Sequence, residues 1–478
     1  MPNRRALLHS APMSKSSSCL LFITALAGCV PRPLSLAVGD VAARLVPHFD
    51  EVFPESPREA TGILQPRFGV PAIVAGDQTF PVRLLERGGA QAIIAALVRR
   101  DATFEEVQQC VRSQARDCIP LALSEQPLVR FDDQHVLRTF DAQPRGAVSL
   151  RGYDLVVATR AGGIVRARSA VFFRVKATGA PLTVIQLSDL HLGRVGQQDR
   201  VAERAEHAVA LVNARHPDAV VITGDLADQG HSPALELAAA NALMHIDAPV
   251  LVMLGNHDHG HWPQVLHTDR ADAGYFNFAR AFHPLLFSTT TIEGWDFVGF
   301  DTGPSIVSLR VLTRGISPET QLALKDAVAN AAQHERNIVL FSHAPTRGAY
   351  SDKPTNLGSH RLGSMWMGAE AVEQLLMSAA QNGQQALHLS GHTHWSDLFV
   401  SDAAHRAFTR VPWGALRCPV ELTTKAALVN APSATRISFP MLRHGNGFGM
   451  VVLHLSKDSS TAQFELTDKK GQPVSCAP

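Results

Sequence analysis

Five short runs of aspartate, asparagine and histidine are the residues of this chain best suited to chemistry. Each run follows an apolar stretch, and in chain order they are Asp189-Leu190-His191, Gly224-Asp225, Gly255-Asn256-His257-Asp258, His343 and Gly391-His392-Thr393-His394. A mixture of oxygen and imidazole donors suits Mn, Fe, Zn or Co better than Ca or Mg. The donors are too many for one zinc ion but suit two ions that share a bridging carboxylate. The pattern therefore predicts two transition-metal ions and metal-assisted hydrolysis.

The segments that precede these runs predict an α/β fold. Apolar strands are predicted at 182–187, 219–223 and 249–254, and helical patterns over 197–213 and 232–245 separate them. Strands that alternate with helices form parallel sheets. In such sheets, ligands lie beyond the carboxyl ends of the strands, which is where the polar runs occur. Further strands are predicted at 297–300, 338–341 and 386–389, with a helix over 318–332.

The motifs D-x-H, G-D, G-N-H-D, H and G-H-x-H, in this order over residues 182–395, resemble those of the calcineurin-like metallophosphoesterases. The resemblance implies a four-layer α/β/β/α sandwich with a dinuclear metal centre. It implies that His257 faces the substrate as an acid or charge stabiliser, and that Asp258 orients His257. The implied ligands are Asp189, His191 and His394 for one metal, Asn256, His343 and His392 for the other, and Asp225 as the bridge.

The chemistry expected of this set is hydrolysis of a small-molecule phosphate ester. Two cations lower the pKa of a shared water, so that a bridging hydroxide forms near neutral pH and attacks the phosphorus in line. His257 then protonates the leaving alkoxide or stabilises its charge. A phosphodiester or a small organic phosphate is favoured. The alternatives are a phosphomonoesterase or protein phosphatase with the same site, and a non-catalytic metal-dependent surface binding protein, for which His257 would have no use.

A single residue of the set is weaker evidence for a metal site than the whole set is. One aspartate or histidine at a strand end is as often a structural hydrogen-bonder as a ligand, but many buried charges in one place need a cation. Asp228, three residues after Asp225, favours a helix cap or a loop hydrogen bond over a ligand. His259 and Arg194 are as consistent with solvated positions as with a substrate cleft.

The N-terminus has the pattern of an export signal. Arg4, Arg5 and Lys15 precede an apolar stretch at 20–26, and small residues lead to Cys29. Residues 26–29 resemble the bacterial lipobox, which implies a lipoprotein signal peptide at 1–28, acylation of Cys29 and a tether at 29–48. We therefore expect an exported, membrane-anchored protein on the periplasmic side of a bacterial envelope. A plain secretion signal is the alternative.

Composition limits the remaining possibilities. The chain has 478 residues, of which 45% are hydrophobic and 18% charged, so it is neither disordered nor an integral membrane protein. Its net charge of +1 gives no reason to expect a nucleic-acid partner. Beyond the metallophosphoesterase domain at 179–460, we expect an accessory mostly-β domain at 49–178, with short helices over 90–99 and 103–113, and a C-terminal tail at 461–478.

Four cysteines remain after the signal and Cys29. They are Cys110, Cys118, Cys418 and Cys476. An even number in an exported chain favours disulfides, and three pairings are possible. The pairing of Cys110 with Cys118, which closes a short loop, is favoured. Cys418 would then pair with Cys476 and hold the C-terminal tail.

Overall fold

The computed structural model describes most of the chain outside its two ends. The described residues are 42, 45–54, 61–75, 78–88, 92–113, 118–148, 151–159, 163–174, 179–193, 198–260, 271–303, 315–347, 364–365, 367–402, 404, 406–422, 426–435 and 448–467. Among them, no helix has both the length and the apolar character needed to cross a bilayer.

The N-terminal part is a nine-stranded, mostly antiparallel sheet with two helices. Its strands are β1 (Thr61–Gln65), β2 (Ala72–Val74), β3 (Phe80–Arg87), β4 (Ile93–Arg99), β5 (Cys118–Glu125), β6 (Val129–Arg130), β7 (His135–Pro144), β8 (Gly152–Thr159) and β9 (Ile164–Phe173). The strand order is β1-β3-β7-β5-β4-β8-β9-β2, and β6 pairs with β7. The helices are α1 (Phe49–Val52) and α2 (Phe104–Ser113). Alternating apolar residues such as Val82, Leu84 and Leu155 form a core of their own here.

The helix predicted over 90–99 is wrong, because strand β4 occupies residues 93–99. Its residues Ala95, Ala96, Leu97 and Val98 are all buried, because β4 lies inside the sheet between β5 and β8. A short apolar run with both faces buried has no polar face that would distinguish a strand from a helix. Alanine favours helices, but packing on both sides overrides that propensity.

Residues 182–467 contain all the predicted ligands and are called the catalytic half for their predicted role. The first sheet of this half contains the predicted β-α-β-α-β run. The strands β10 (Leu182–Leu187), β11 (Ala219–Thr223) and β12 (Val250–Met253) are parallel, and the helices α3 (Gln198–Ala214) and α4 (Pro233–Leu243) connect them. Helices α5 (Asn256–His259) and α6 (Ala271–Ala281) follow β12.

The second sheet is mixed. It contains β13 (Phe287–Ile292), β14 (Trp295–Phe300), β15 (Asn337–Phe341), β16 (Ala386–Ser390), β17 (Asp397–Ser401), β18 (Phe408–Arg410) and β20 (Ala426–Asn430), in the order β13-β14-β15-β16-β20-β17-β18. The first sheet is completed by β19 (Val420–Glu421), β21 (Phe448–Leu455) and β22 (Ser460–Thr467). Helices α7 (Pro318–Gln333) and α8 (Ala369–Gln381) pack on the outer face of the second sheet.

Burial of alternate strand residues shows four layers. Val339 and Phe341 of β15 belong to the core shared with the first sheet, whereas Ile338 and Leu340 face α7 and α8. Helices α3 and α4 cover the other face of the first sheet with residues such as Val212. The order of layers is therefore helices, sheet, sheet, helices, and this confirms the predicted α/β/β/α sandwich.

The structure differs from the expected boundaries at both ends. Ala42 and Leu45, within the predicted tether, are fully buried in the main core. Strand β22 pairs with β21 and so extends the first sheet into the range predicted as a tail. The N-terminal sheet also contacts the catalytic half directly, because the amide of Val252 donates to the carbonyl of Gly69 at 2.9 Å.

Candidate metal centre

The predicted ligands lie in the loops that follow β10, β11, β12, β15 and β16, at one edge of the sandwich. Several of them adopt left-handed backbone conformations, with φ of 55° at Asp189, 47° at His191, 54° at Asp225, 70° at His392 and 58° at His394. Such conformations are uncommon for residues other than glycine and persist only where the surrounding structure holds them. The backbone at this edge is therefore shaped to aim these side chains.

One cluster joins Asp189, His191 and His394. The Nε2 atoms of His191 and His394 are 3.0 Å apart, and Oδ1 of Asp189 lies 3.1 Å from Nε2 of His394 and 3.8 Å from Nε2 of His191. The other carboxylate oxygen of Asp189 accepts the amide of His392 at 3.0 Å. One oxygen of Asp189 is thus held by the backbone, and the other points at the two imidazoles.

A second cluster joins Asn256, His343 and His392 beside Asp225. Nε2 of His343 lies 3.0 Å from Oδ1 of Asn256, 3.1 Å from Nδ1 of His392 and 3.3 Å from Oδ2 of Asp225. The same Oδ2 atom of Asp225 is 3.6 Å from Nε2 of His191 in the first cluster. Asp225 therefore lies between the clusters, as a bridging carboxylate must.

Contacts behind the imidazoles determine which nitrogen atoms face the site. Nδ1 of His343 donates to the carbonyl of Thr223 at 2.7 Å, and Nδ1 of His191 faces Oδ1 of Asp228 at 3.3 Å. In the neutral rings, Nε2 then carries the lone pair. The lone pair on Nε2 of His343 meets Oδ1 of Asn256 at 3.0 Å and Oδ2 of Asp225 at 3.3 Å. Lone pairs at these distances repel unless a cation or a proton lies between them, so this donor set fits a metal ion.

Electrostatics within the cluster agree with this interpretation. Burial lowers the pKa of His343, but the Asp225 and Asp189 carboxylates and the Thr223 carbonyl together outweigh that effect and raise the pKa to about 9. Burial lowers the pKa of His191 to about 4. Burial also opposes ionisation of Asp225, but His343 and His257 hold its pKa well below the usual range. The cluster thus has a buried negative charge that draws a positive charge into the site.

His257 lies beside the clusters and is more exposed than their members. Its side chain is 24% exposed, compared with 1% for His191. Nδ1 of His257 donates to the carbonyl of Asp228 at 2.8 Å, and Nε2 is 4.0 Å from Oδ2 of Asp225. His257 is also close enough to His191 and Asp225 for the three to hold one ion. Its Nε2 atom therefore lies beside the Asp225 carboxylate, on the more exposed side of the clusters.

The Asp258 carboxylate is held by backbone amides of two loops, and its expected role of orienting His257 stays a prediction. Its Oδ1 atom accepts the amides of Leu226 and Ala227 at 2.9 and 3.1 Å, and Oδ2 accepts the amide of Gly255 at 2.6 Å. The buried carboxylate therefore joins the loop after β11 to the loop after β12. Burial, followed by the charge of Asp225, raises the pKa of Asp258 to about 6.

Several supporting residues were absent from the predicted site. Asp228, predicted to be a loop hydrogen-bonder, contacts both His191 and His257. The hydroxyl of Ser433 donates to the carbonyl of Asp189 at 2.6 Å, and that of Thr435 to the carbonyl of Leu190 at 2.5 Å. The position of Asp228, three residues after Asp225, could have indicated a supporting role in the sequence. No local pattern could have identified Ser433 and Thr435, because they are distant in sequence from the loop of Asp189 that they contact.

The cysteines are distributed as follows. Cys110 and Cys118 form a disulfide, with Cα atoms 5.7 Å apart, that joins the end of α2 to β5. Cys418 is also disulfide-bonded. Cys29 and Cys476 lie outside the described residues, so the pairing of Cys418 with Cys476 stays a prediction.

Comparison with known proteins agrees with the geometry. Residues 182–396 match the family described as Calcineurin-like phosphoesterase. A probable cyclic nucleotide phosphodiesterase of Rhodopseudomonas palustris is 31% identical over 151 residues, which are 30% of this chain and 49% of that protein. A transmembrane protein with a metallophosphoesterase domain from Danio rerio is 27% identical over 224 residues, 46% of this chain and 41% of that protein. The chain thus spans less than half the length of these relatives.

One similar solved structure is a purple acid phosphatase from yellow lupin (Lupinus luteus) seeds. It has a TM-score of 0.46 and 10% sequence identity, and the match covers 84% of this chain and 72% of that chain. A dimetal phosphatase from Danio rerio has a TM-score of 0.39 and 14% identity over 62% of this chain and 98% of that chain. The family match covers all five motifs, and its range contains both side-chain clusters. Residues 182–396 of the chain therefore form a calcineurin-like phosphoesterase domain.

Proposed function

We propose that this protein is a metallophosphoesterase that holds two divalent or trivalent transition-metal ions and hydrolyses small phosphodiesters or organic phosphates outside the cytoplasm. The position of Asp225 carries the proposal. Its Oδ2 atom is within 3.6 Å of an imidazole nitrogen from each cluster, so one carboxylate can serve two ions. Mn, Fe, Zn and Co fit the mixed nitrogen and oxygen donors.

The two ions would be held by separate donor sets. Asp189, His191 and His394 would hold one, Asn256, His343 and His392 the other, and Asp225 both. Bound ions of this kind activate water and offset the charge of the phosphate oxygens. Asp228 and the carbonyl of Thr223 orient the histidines, and Asp258 keeps the loops in register.

His257 is proposed to donate the proton that the leaving alkoxide needs. Its Nδ1 proton is held by the carbonyl of Asp228, so the proton that can be transferred is the one on Nε2. That atom lies 4.0 Å from Oδ2 of Asp225, and the His257 side chain is partly exposed to solvent. General acid catalysis of this type contributes roughly 10²–10⁴-fold to a rate.

The preference for a phosphodiester is supported by the name of one relative, the probable cyclic nucleotide phosphodiesterase. The test is a comparison of purified, manganese-loaded protein on bis-p-nitrophenyl phosphate and on p-nitrophenyl phosphate. We expect the higher kcat/KM on the diester. A higher value on the monoester would favour the phosphomonoesterase alternative, and hydrolysis of neither ester would favour a binding protein.

The catalytic role of the site is tested by Asp225→Asn. We expect the variant to lose at least about 10²-fold in kcat/KM, because the shared carboxylate is replaced by a neutral amide. The matched control is Asp326→Asn, at an exposed position of α7. Full activity in Asp225→Asn would contradict the mechanism.

The location outside the cytoplasm rests on the signal pattern and on the disulfides. Disulfides such as Cys110–Cys118 persist in oxidising compartments. The proposed lipid anchor at Cys29 predicts that wild-type protein sediments with membranes, while Cys29→Ser is released into the soluble fraction. Soluble, unacylated wild-type protein would refute the anchor without affecting the catalytic proposal.

A further inference from the structure

A large cavity lies between the N-terminal sheet and the catalytic half. Its volume is about 830 Å³, within the range of small-molecule sites, which favour domain interfaces. One wall comes from Ile63 of β1, residues of β9 and the start of α2. The opposite wall comes from α4 and from the end of α6. None of the described lining residues is a predicted metal ligand, so the cavity is separate from the metal centre.

The described lining residues carry positive charge and no negative charge. They include Arg67, Arg166, Arg168 and Arg280 but no aspartate or glutamate. Arg166 is compensated by the buried Asp154 behind it, which accepts its Nε proton at 2.7 Å. Arg168 and Arg280 are exposed, and no acidic side chain of the described residues lies within ion-pair distance of either. The buried Asp154 also interacts electrostatically with Arg168. The lining itself has four arginines and no acidic residue, so an anion that entered the cavity would meet a net positive charge.

The remaining lining is largely apolar. Phe53, Phe68, Leu237 and Met244 contribute to the walls, and Phe104 at the start of α2 is 65% exposed at the cavity. Such exposure is unusual for a phenylalanine, which normally buries most of its surface. The disulfide from Cys110 to Cys118 joins α2, the helix that begins at Phe104, to β5.

We propose that this cavity binds a soluble amphipathic anion, which has one carboxylate or phosphate group on an apolar body. The guanidinium groups of Arg168 and Arg280 would bind the anionic group, since their planar donors match carboxylate and phosphate oxygens. The phenylalanines and Met244 would cover the apolar body. Neither a bare anion nor an apolar cation satisfies both parts of the cavity.

The test is isothermal titration of the full-length protein with decanoate. We expect one binding site for decanoate, and no measurable binding of acetate, which lacks the apolar chain, or of decyltrimethylammonium, which reverses the charge. The double variant R168E/R280E should bind decanoate about 10-fold more weakly or worse, because each hydrogen bond to a charged group is lost. The control Arg130→Glu reverses an exposed arginine of β6 outside the cavity and should bind normally.

The second variant, R168Q/R280Q, separates loss of binding from loss of structure. Its thermal unfolding midpoint should equal that of wild type, since both side chains are exposed, while its affinity for decanoate falls. Phe104→Ser should weaken decanoate binding as well. Equal affinity in the double variants and in wild type would overturn the proposal. So would tight binding of decyltrimethylammonium, or binding to anionic phospholipid vesicles without binding of free decanoate.

Discussion

At the residue scale, the environment of His257 separates an acid from a ligand. Its Nδ1 atom is committed to the carbonyl of Asp228, whereas Nε2 of the more deeply buried His191 faces His394 at 3.0 Å. The histidines are close in space, with ring centroids 4.6 Å apart, but they differ in exposure. Proximity alone therefore does not show which histidine is the acid and which is a ligand. A variant of His257 can distinguish the two roles.

The variant His257→Gln should lose activity and keep its metal. We expect kcat to fall by about 10²–10⁴-fold on an alkyl phosphodiester, whose leaving group needs a proton. The loss should be much smaller on bis-p-nitrophenyl phosphate, whose leaving group is stable as an anion. Metal content by mass spectrometry should match wild type, whereas His343→Gln should lose metal. Loss of bound metal in His257→Gln would instead make His257 a ligand.

A second prediction at this scale concerns protons. The pKa of His343 is raised to about 9, so we expect its imidazole to carry a proton at pH 7 before metal is added. A metal ion must displace that proton, so Mn²⁺ affinity should rise with pH between 6 and 9, by up to about tenfold per unit. Titration calorimetry in two buffers of different ionisation enthalpy should show about one proton released at pH 7. If no proton were released when Mn²⁺ binds, His343 would be neutral before binding.

At the element scale, much of the catalytic half was predictable. In the N-terminal half, the mostly-β character and the helix over 103–113 agree with the structure, whereas the helix over 90–99 was wrong. The predicted strand at 182–187 coincides with β10, because β10 is parallel to β11 and buried on both faces, which produces a continuous apolar run. Strand β4 has a similar run but was predicted as a helix, since nothing local distinguishes the two. Ser433, which holds the loop of Asp189, depends on the packing of distant segments that no local pattern reports.

Helix α4 carries an acid that no motif explained. Glu236 is fully buried, and burial, with the adjacent charge of Asp258, raises its pKa well above the ordinary value of 4.5. Glu236 therefore stays protonated in the folded chain at a pH where the unfolded chain has released the proton. Its contribution to stability is fully present below pH 4.5 and is lost as the pH rises through the folded-state pKa.

The variant Glu236→Gln should therefore be more stable than wild type above neutral pH. Glutamine keeps the shape of the protonated acid but has no proton to lose. We expect the decrease in free energy of unfolding between pH 5 and pH 8, measured with urea, to be smaller in the variant. Glu105→Gln, at an exposed position of α2, is the control and should leave that decrease unchanged. If the free energy of unfolding decreased equally in Glu236→Gln and in wild type, other groups would cause the pH dependence.

At the scale of the whole molecule, the N-terminal sheet and the catalytic half share one core. Leu64, Phe68 and Val70 belong to the same buried cluster as Val252 and Phe282. The rings of Phe68 and Phe282 stack with centroids 5.6 Å apart. Arg100 adds a polar contact by donating to the carbonyl of Ile246 at 3.1 Å. A core that spans both halves should make their unfolding cooperative.

The variant Phe68→Ala tests that cooperativity. It should cost about 3–5 kcal/mol, because a buried ring is removed from a core that collapses only in part. Since Phe68 lies outside the phosphoesterase domain, independent halves would leave the thermal inactivation temperature of the hydrolase unchanged. If the halves unfold as one cooperative unit, Phe68→Ala should lower both that inactivation temperature and the midpoint of the far-ultraviolet circular dichroism transition. Phe104→Ala, which removes an exposed ring from the same sequence half, should move neither. If Phe68→Ala lowered the dichroism midpoint alone, the halves would unfold separately and the shared cluster would contribute little to the stability of the metal centre.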